Sequence, residues 1–201
     1  MGSYPLTIET AQVSELPPAV ARSSRGKRIL RWAERSLAFV GLCFIIYHLC
    51  FELTVMTSGS MAPTLRGNSY ADGDRLLLER VTGWYRKPRR WEIYFFYNPD
   101  GIPVAKRIVG MPGEIISIRD NRLYINGIQM QPPPRLQFLK YYAHGNLAAG
   151  REVSCDAGYF LLGDDSRDSY DSRFTGPVSA KEFRGRVWCI LWPNPRAGFV
   201  R

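Results

Sequence analysis

Few side chains in this chain of 201 residues could form a nucleophile with a base beside it. Two serines, Ser58 and Ser60, flank a glycine in the segment MTSGSMAPTL. The chain has two histidines, His48 in an apolar run and His144 in a segment rich in Pro and Gly, so a Ser-His-Asp triad would have to recruit His144 from a loop. A nucleophilic serine would therefore need another base. Lysine is the candidate, because burial can lower the pKa of its amine towards neutrality.

Four lysines follow these serines, and Lys106 is the one that lies in an apolar segment, IPVAKRIVGMPGE. In a strand, Val104, Lys106 and Ile108 would share one face, so the pattern predicts that Lys106 points inward. The ordinary alternative is a side chain that lies along apolar surface and keeps its charge in water. The other three lysines, which have charged neighbours or belong to the Pro- and Gly-rich segment, are Lys87, Lys140 and Lys181.

The cysteines indicate no metal site. The sequence has no C-x-x-C pair and no Cys/His cluster, so we expect no metal and no cofactor. Cys43 and Cys50 fall in the apolar run, where they are expected to behave as small apolar residues. Cys155 and Cys189 lie further along, and a disulfide between them and two free thiols are both open.

The apolar run LAFVGLCFIIYHLCF, residues 37–51, predicts a membrane anchor over residues 36–56. A cleaved signal peptide and a buried core helix are the alternatives. A basic flank on one side only predicts a cytoplasmic N-terminus and an extracytoplasmic remainder at the cell (plasma or inner) membrane. The basic residues of that flank are Arg22, Arg25, Lys27, Arg28, Arg31 and Arg35.

The net charge of +9 suits either nucleic acid or an anionic lipid surface. No zinc-finger spacing, RRM-like aromatic motif or internal repeat accompanies the basic residues. We therefore expect a lipid bilayer, with anionic lipid at the basic flank, and no nucleic acid as a partner.

From residue 75 onward the sequence changes to short segments rich in β-branched and aromatic residues. Asn121 and Asn126-Gly127 mark tight turns on either side of one such segment. Strands and helices do not alternate, so a mostly β protein with an antiparallel β-sheet is predicted. The predicted strands are DRLLLERV, RRWEIYFFYN, EIISIRD, RLYINGIQM, GYFLLGD and FRGRVWCILWP.

The predicted organisation has three parts. A basic cytoplasmic tail over 1–35 precedes one N-terminal transmembrane helix over 36–56. An extracytoplasmic antiparallel β-sheet domain follows over 57–201, and it contains a small, less regular inserted subdomain over about 114–158.

Three motifs follow the apolar run in order: S-G-S-M-A-P-T at 58–64, A-K-R-I-V-G-M-P-G at 105–113 and Y-F-L-L-G-D-D-S-R-D-S-Y-D-S-R at 159–173. They closely resemble the signature motifs of the type I signal peptidases, which are membrane-anchored Ser/Lys leader peptidases. The resemblance extends from about residue 37 to residue 193. It implies a serine endopeptidase, a hydrolase, that removes N-terminal signal peptides from exported preproteins and cuts after small residues of the A-x-A type.

The resemblance implies that Ser60 is the nucleophile and that Lys106 is the general base of a Ser/Lys dyad. Ser58 would add its hydroxyl to the oxyanion hole beside the backbone N–H of Ser60. The extended substrate would pair with an exposed strand edge. The stretch just before Ser60 and part of the Arg75–Val81 strand are expected to form this edge.

The third motif supplies supporting residues by the same resemblance. Ser169 matches a serine that bonds and orients the lysine amine. Asp171 and Arg173 match an ion pair that braces the loop, and Asp164 lies at the end of the preceding strand. Arg107, which follows the lysine, is also expected to support the site.

The sequence departs from the family pattern in three places. Asp165-Ser166 replaces the commoner Asn-Arg, which shifts Arg167 by one position. Trp91-Glu92 replaces the commoner Gly-Asp, and Thr57 stands where Pro is frequent.

Two other functions remain open at the level of sequence. A specialised Ser/Lys maturation peptidase of a conjugation or pilin system would use the same dyad on a single substrate. A non-catalytic membrane-anchored paralogue would keep the fold without turnover, although retention of both the serine and the lysine argues against it.

Overall fold

A computed structural model describes residues 24–200, so residues 1–23 of the expected tail lie outside the described residues. The chain divides into two compact units, residues 1–42 and residues 43–201. In chain order the helices and strands are α1 (Ser24–Cys50), β1 (Phe51–Val55), β2 (Arg75–Glu79), α2 (Thr82–Tyr85), β3 (Ile93–Tyr97), β4 (Pro103–Gly110), β5 (Ile115–Arg119), β6 (Arg122–Ile125), β7 (Ile128–Gln129), β8 (Glu152–Ser154), β9 (Phe160–Leu162), α3 (Ser172–Thr175), β10 (Phe183–Trp192) and β11 (Gly198–Phe199).

Helix α1 carries most of the apolar run but ends before the expected end of the anchor. The prediction of a helix through residue 56 is wrong for residues 51–55, which form β1 and pair with β2. Apolar and polar side chains alternate along FELTV, a period of two that suits a strand, and Glu52 forms an ion pair with Arg184 of β10.

A separate finding concerns the membrane. In the part of the chain that the structure describes, no helix is both long enough and apolar enough to cross a bilayer.

The larger sheet is antiparallel, as predicted, with strand order β1-β2-β10-β3-β4-β9 and β11 beside β10. Strand β10 is long and bulged, and it pairs with β3 near its start and with β2 further along. Strand β1 therefore forms an edge, whereas β2 is enclosed between β1 and β10. The expectation that β2 offers a free edge is wrong, because both of its sides are already hydrogen-bonded.

The predicted insertion over 114–158 contains its own antiparallel sheet, with strand order β7-β6-β5-β8. It is thus more regular than expected, and short 3₁₀ turns occupy the Pro- and Gly-rich part between β7 and β8. Asn126 and Gly127 both have positive φ, which is the backbone of a tight hairpin turn between β6 and β7. Buried residues from both sheets share one apolar cluster that includes Val109, Ile116 and Phe160.

Strand β4 is packed on both of its faces, which fixes the backbone that carries Lys106. Ala105 packs in a cluster with Met61 and Phe95. Ile108 packs in another cluster, on the opposite face of the sheet, with Tyr94. Apolar packing on both faces of the sheet therefore holds the backbone at Lys106 in place.

Cys155 and Cys189 are free, so the disulfide that the sequence left open is not formed. Cys155 belongs to the cluster shared by the two sheets, and burial raises the pKa of its thiol to about 12. Both residues are buried small side chains.

The segment that follows β1 is tied to the segment before β2. The Met56 N–H donates to the Asp74 carbonyl at 3.0 Å, and the Asp74 carboxylate accepts from the Arg66 N–H at 2.8 Å. Gly73 lies so close that a Cβ built there would overlap the Met56 carbonyl oxygen. This close approach fixes both ends of the loop that presents Ser60.

We predict that Gly73→Ala lowers the free energy of unfolding by at least ~2 kcal/mol, because the added methyl group would meet backbone atoms that cannot move aside. Denaturant unfolding of the purified protein in uncharged detergent measures the effect. Gly83→Ala is the matched control, because nothing lies within 4 Å of a Cβ at Gly83. Equal stability of the two variants would contradict this account of the loop.

Candidate active site

Strand β4 and the turn after β1 bring the amine of Lys106 to the hydroxyl of Ser60. The Lys106 Nζ donates to the Ser60 Oγ at 2.5 Å. Ser60 lies in a short 3₁₀ turn, Gly59–Met61. Only 3% of Lys106 and 6% of Ser60 is exposed, so the contact is screened from bulk water. The two residues named from the sequence as nucleophile and base are therefore in direct contact.

The environment of Lys106 favours the neutral amine. Burial lowers its pKa from 10.5 to about 8, against the opposing effect of the Asp171 carboxylate and with a smaller contribution from the Arg173 guanidinium. Desolvation disfavours the charged form of an amine, so it is the main cause. Near pH 8 about half of the molecules would have an amine able to accept a proton.

Ser58 lies on the open side of this contact. Its Oγ is 3.2 Å from the Ser60 Oγ, and the residue is exposed. Ser58 also precedes the first residue of the 3₁₀ turn, where the first backbone N–H groups lack partners within the turn. A hydroxyl and backbone N–H groups therefore lie beside the Ser60 Oγ.

A buried ion pair lies immediately beside Lys106 along β4. Arg107 donates to both carboxylate oxygens of Asp164, at 2.7 and 2.6 Å, and neither side chain has exposed surface. Thr64, from the serine loop, donates to the same carboxylate at 2.5 Å, and Arg107 reaches the Trp91 carbonyl at 2.6 Å. Asp164 thus connects the loop that bears Ser60 to the strand that bears Lys106. The sequence did not single out Thr64, although it is the last residue of the first motif.

Asp171 and Arg173 form a second buried pair, with two N–H···O contacts of 2.8 Å. The Asp171 carboxylate also accepts from the Gly163 N–H at 3.0 Å and from the Ser169 Oγ at 2.7 Å. The pair therefore closes the loop after β9 into a rigid unit. Bidentate, charge-assisted hydrogen bonds fix the orientation of the two side chains as well as the distance between them.

The structure gives Ser169 a partner other than the one expected. Within residues 24–200 its hydroxyl donates to Asp171, and no hydrogen bond joins it to Lys106. A carboxylate is a stronger acceptor than an amine that already contacts a serine, which explains the preference. Ser169 nevertheless lies close to the site, because a Cβ at Gly163 would overlap both its hydroxyl and the Ser60 carbonyl.

Asp165 and Ser166, which replace the commoner Asn-Arg, lie in the same loop after β9. The Asp165 N–H donates to the Ser60 carbonyl at 3.0 Å. The Ser166 Oγ accepts from Arg173 at 2.7 Å and from the Tyr142 N–H at 2.9 Å. The displaced Arg167 donates to the Tyr142 hydroxyl at 2.9 Å. This substitution therefore joins the loop after β9 to the inserted subdomain, which no local sequence signal could have indicated.

Among the described residues the other two departures make no hydrogen bond to Ser60. Trp91 has a φ of 74°, a left-handed backbone that explains why glycine is common there, and its carbonyl accepts from Arg107. Glu92 pairs with Arg86, and Thr57 is exposed. Among the described residues no group of His, Cys, Asp or Glu side chains is arranged to hold a metal ion.

A serine hydroxyl in contact with a buried lysine amine is an arrangement that can support nucleophilic catalysis without histidine. The family model described as "Signal peptidase, peptidase S26" matches residues 29–192. The chain therefore belongs to the signal peptidase S26 family. It is a serine endopeptidase of the type I signal peptidase class, a hydrolase.

Two relatives found by sequence, from Synechocystis sp. and Bacillus subtilis, agree with this assignment. A probable signal peptidase I-2 of Synechocystis sp. is 30% identical over 199 residues, which covers 96% of this chain and 83% of the relative. Signal peptidase I V of Bacillus subtilis is 32% identical over 142 residues, 64% of this chain and 78% of the relative. A crystal structure of a signal peptidase I from Enterococcus faecalis V583 is 31% identical, covers 50% of this chain and 96% of that chain, and has a TM-score of 0.39.

We predict that Asp164→Asn destabilises the protein by about 3 kcal/mol, because it leaves the buried Arg107 guanidinium without its counter-charge. Urea unfolding measures the change. Glu152→Gln is the control, because its pair with Arg119 is about half exposed and should contribute less than about 1 kcal/mol. If the two substitutions cost the same, the Arg107–Asp164 pair does not hold the site together.

Proposed function

We propose that the protein is a membrane-bound serine endopeptidase that removes N-terminal signal peptides from exported preproteins through a Ser60/Lys106 dyad. The observation that carries the proposal is the 2.5 Å contact between the Lys106 Nζ and the Ser60 Oγ in a buried site. Membership of the signal peptidase family and the names of the relatives support the choice of substrate.

The reaction proceeds by acyl transfer. Neutral Lys106 takes the proton of the Ser60 hydroxyl while the Ser60 Oγ forms a bond to the scissile carbonyl carbon. The tetrahedral intermediate collapses, the C–N bond breaks, and the Lys106 ammonium gives its proton to the amine of the departing mature protein. An ester then joins the signal peptide to Ser60. Lys106 next takes a proton from water as that water attacks the ester carbonyl. The bond between the acyl carbon and the Ser60 oxygen then breaks, and the Lys106 ammonium returns its proton to that oxygen. The signal peptide leaves as a carboxylic acid, which loses its proton to solvent.

The developing oxyanion is stabilised by the Ser58 hydroxyl and the backbone N–H of Ser60. The position of Ser58, 3.2 Å from the nucleophile, supports this role. Donors fixed in a site that excludes water stabilise such a charge by several kcal/mol. The Arg107–Asp164 and Asp171–Arg173 pairs, with Ser169 bonded to Asp171, hold the lysine and the serine loop at this distance.

The substrate binds as an extended strand along β1 and is cut after small residues of the A-x-A type. Strand β1 is an edge of the larger sheet and leads directly into the turn that contains Ser60. An apolar cavity of about 610 Å³ lies beside it, between Leu53, Val55 and Phe95. An open edge supplies main-chain hydrogen bonds, and adjacent apolar pockets select side chains.

We predict that Ser60→Ala and Lys106→Met each lower the rate of preprotein cleavage by on the order of 10³-fold or more, since each removes one partner of the proton transfer. The assay incubates purified full-length protein in detergent with several unrelated preproteins and sequences the new N-termini. Lys181→Met, which removes an exposed lysine, is the matched control and should retain wild-type activity. Cleavage by Lys106→Met at the wild-type rate would contradict the dyad.

The same assay separates the general enzyme from a specialised maturation peptidase. Cleavage after A-x-A in unrelated preproteins indicates general processing, whereas cleavage of a single precursor indicates the specialised function.

The rate of preprotein cleavage should rise with pH through about 8 and level off above it, because the neutral form of Lys106 is the base.

We propose that the apolar part of α1 anchors the protein to the plasma membrane, with a cytoplasmic N-terminus and an extracytoplasmic catalytic domain. Phe39, Phe44 and Leu49 are 59–66% exposed on α1, which suits contact with lipid. The N-terminal part of the helix carries Arg25, Lys27, Arg28, Arg31 and Arg35, which anionic lipid at the cytoplasmic face would attract.

We predict that the double substitution Phe44→Asp/Ile45→Asp moves the protein from the carbonate-washed membrane pellet to the supernatant, because charges in the apolar segment disfavour lipid contact. Ile128→Asp is the control, since Ile128 is also an exposed apolar residue but lies on β7. External protease should remove the catalytic domain from intact spheroplasts and leave the basic tail. Retention of the double variant in the pellet would argue against this anchor.

A further inference from the structure

A cavity of about 510 Å³ lies between β2, α2 and β10, and neither Ser60 nor Lys106 lines it. Its inner wall is aromatic. Tyr94 and Phe183 stack with ring centroids 4.6 Å apart, and Tyr159 lies 5.4 Å from Phe183. We call this space the β2–β10 cavity.

One polar group in the wall of the β2–β10 cavity has no partner. The Tyr94 hydroxyl is buried and, within residues 24–200, makes no hydrogen bond. Burial raises the pKa of Tyr94 far above its usual value, so the hydroxyl keeps its proton and stays a donor. A buried donor without an acceptor is costly in a folded protein and is uncommon.

The rim of the β2–β10 cavity is cationic. Arg86 and Arg184 each form an ion pair with one carboxylate. Arg80 and Lys87 line the cavity as well, and in the described part of the chain neither has a carboxylate within salt-bridge distance. The acidic residue of the lining, Glu79, is already bonded to the Thr82 hydroxyl and to a guanidinium. The cavity therefore combines an apolar aromatic wall with an excess of positive charge at its mouth.

We infer that the β2–β10 cavity binds the phosphate headgroup of an anionic phospholipid, with Arg80 and Lys87 as the charged contacts. The Arg80 N–H donates to the carbonyl of Cys50, the last residue of α1, at 2.8 Å, so the rim adjoins the end of the apolar helix. Trp84 and Tyr85 on α2 are 70% and 69% exposed beside it. Amphipathic aromatic rings favour the boundary between lipid and water, which distinguishes a lipid from a free phosphate compound.

This inference goes beyond the proposed protease chemistry and does not depend on it. The test uses full-length protein in an uncharged detergent, titrated with dihexanoylphosphatidylglycerol in one arm and with inorganic phosphate in the other. Arg80→Gln/Lys87→Gln removes both charged contacts. Arg122→Gln/Lys140→Gln removes two exposed cations that line a different cavity and serves as the matched control.

Calorimetric titration should show that the lipid binds wild type and the control equally. The Arg80/Lys87 variant should bind about 30-fold more weakly, if each cation near the headgroup contributes about 1 kcal/mol. Cleavage of a soluble peptide by this variant should remain at the wild-type rate, which verifies that it is folded.

Two results would overturn the inference. Equal lipid binding by both double variants and wild type would show that the cavity is not the site. Saturable binding of inorganic phosphate, lost in the Arg80/Lys87 variant, without any lipid binding, would show that the occupant is a free phosphate compound and not a lipid.

Discussion

The contact between the Lys106 amine and the Ser60 hydroxyl can serve as a catalytic pair only because the surrounding fold keeps water away from it. Desolvation lowers the pKa of the amine to about 8, and the same desolvation destabilises the folded protein when the amine is charged. Because the folded-state pKa is depressed, the unfolded chain binds more protons between about pH 8 and pH 10.5, and stability rises with pH across that window. Below pH 8 the full cost of burying the charge remains. The rest of the domain must offset it.

The two buried ion pairs hold the segments that meet at this contact. Asp164 is bonded to Arg107 on β4 and to Thr64 in the serine loop, so one carboxylate joins the strand that carries Lys106 to the loop that carries Ser60. Asp171 is bonded to Arg173 and to the Gly163 N–H, which closes the loop after β9. Buried pairs of this kind contribute little net stability compared with apolar packing, but the loss of one partner is strongly destabilising. Their value here is that they fix positions across three segments that are distant in sequence.

Much of this arrangement could be predicted from local patterns. The alternation around Lys106 indicated which lysine points inward, and the β-branched segments indicated the antiparallel sheet, because both are properties of a few consecutive residues. The end of the apolar helix could not be placed in the same way. Residues 51–55 continue the apolar run without a break, and their short alternation suits a strand but does not mark where the helix ends; the pairing with β2 fixes that point. Strand order likewise depends on distant pairing, which is why β2 was mistaken for an edge.

The contacts of single side chains in the third motif were less predictable still. Resemblance placed Ser169 against the lysine, whereas the structure bonds it to Asp171 two residues away. Ser166 was noted only as a departure from the family pattern and Tyr142 entered no sequence argument, yet the Tyr142 N–H donates to the Ser166 Oγ from a segment 24 residues earlier. These hydrogen bonds depend on how the inserted subdomain packs against the loop after β9. Neither the composition nor the residue spacing of either segment encodes that packing.

The most direct test of the account is the pKa of the Lys106 amine, measured by NMR on full-length protein in detergent with isotope-labelled lysine side chains. The Lys106→Met variant assigns the signal. We predict that the Lys106 amine titrates near pH 8, well below the usual lysine value of 10.5. If the Lys106 amine instead titrates near the usual lysine value of 10.5, it is charged at neutral pH and cannot be the base for Ser60.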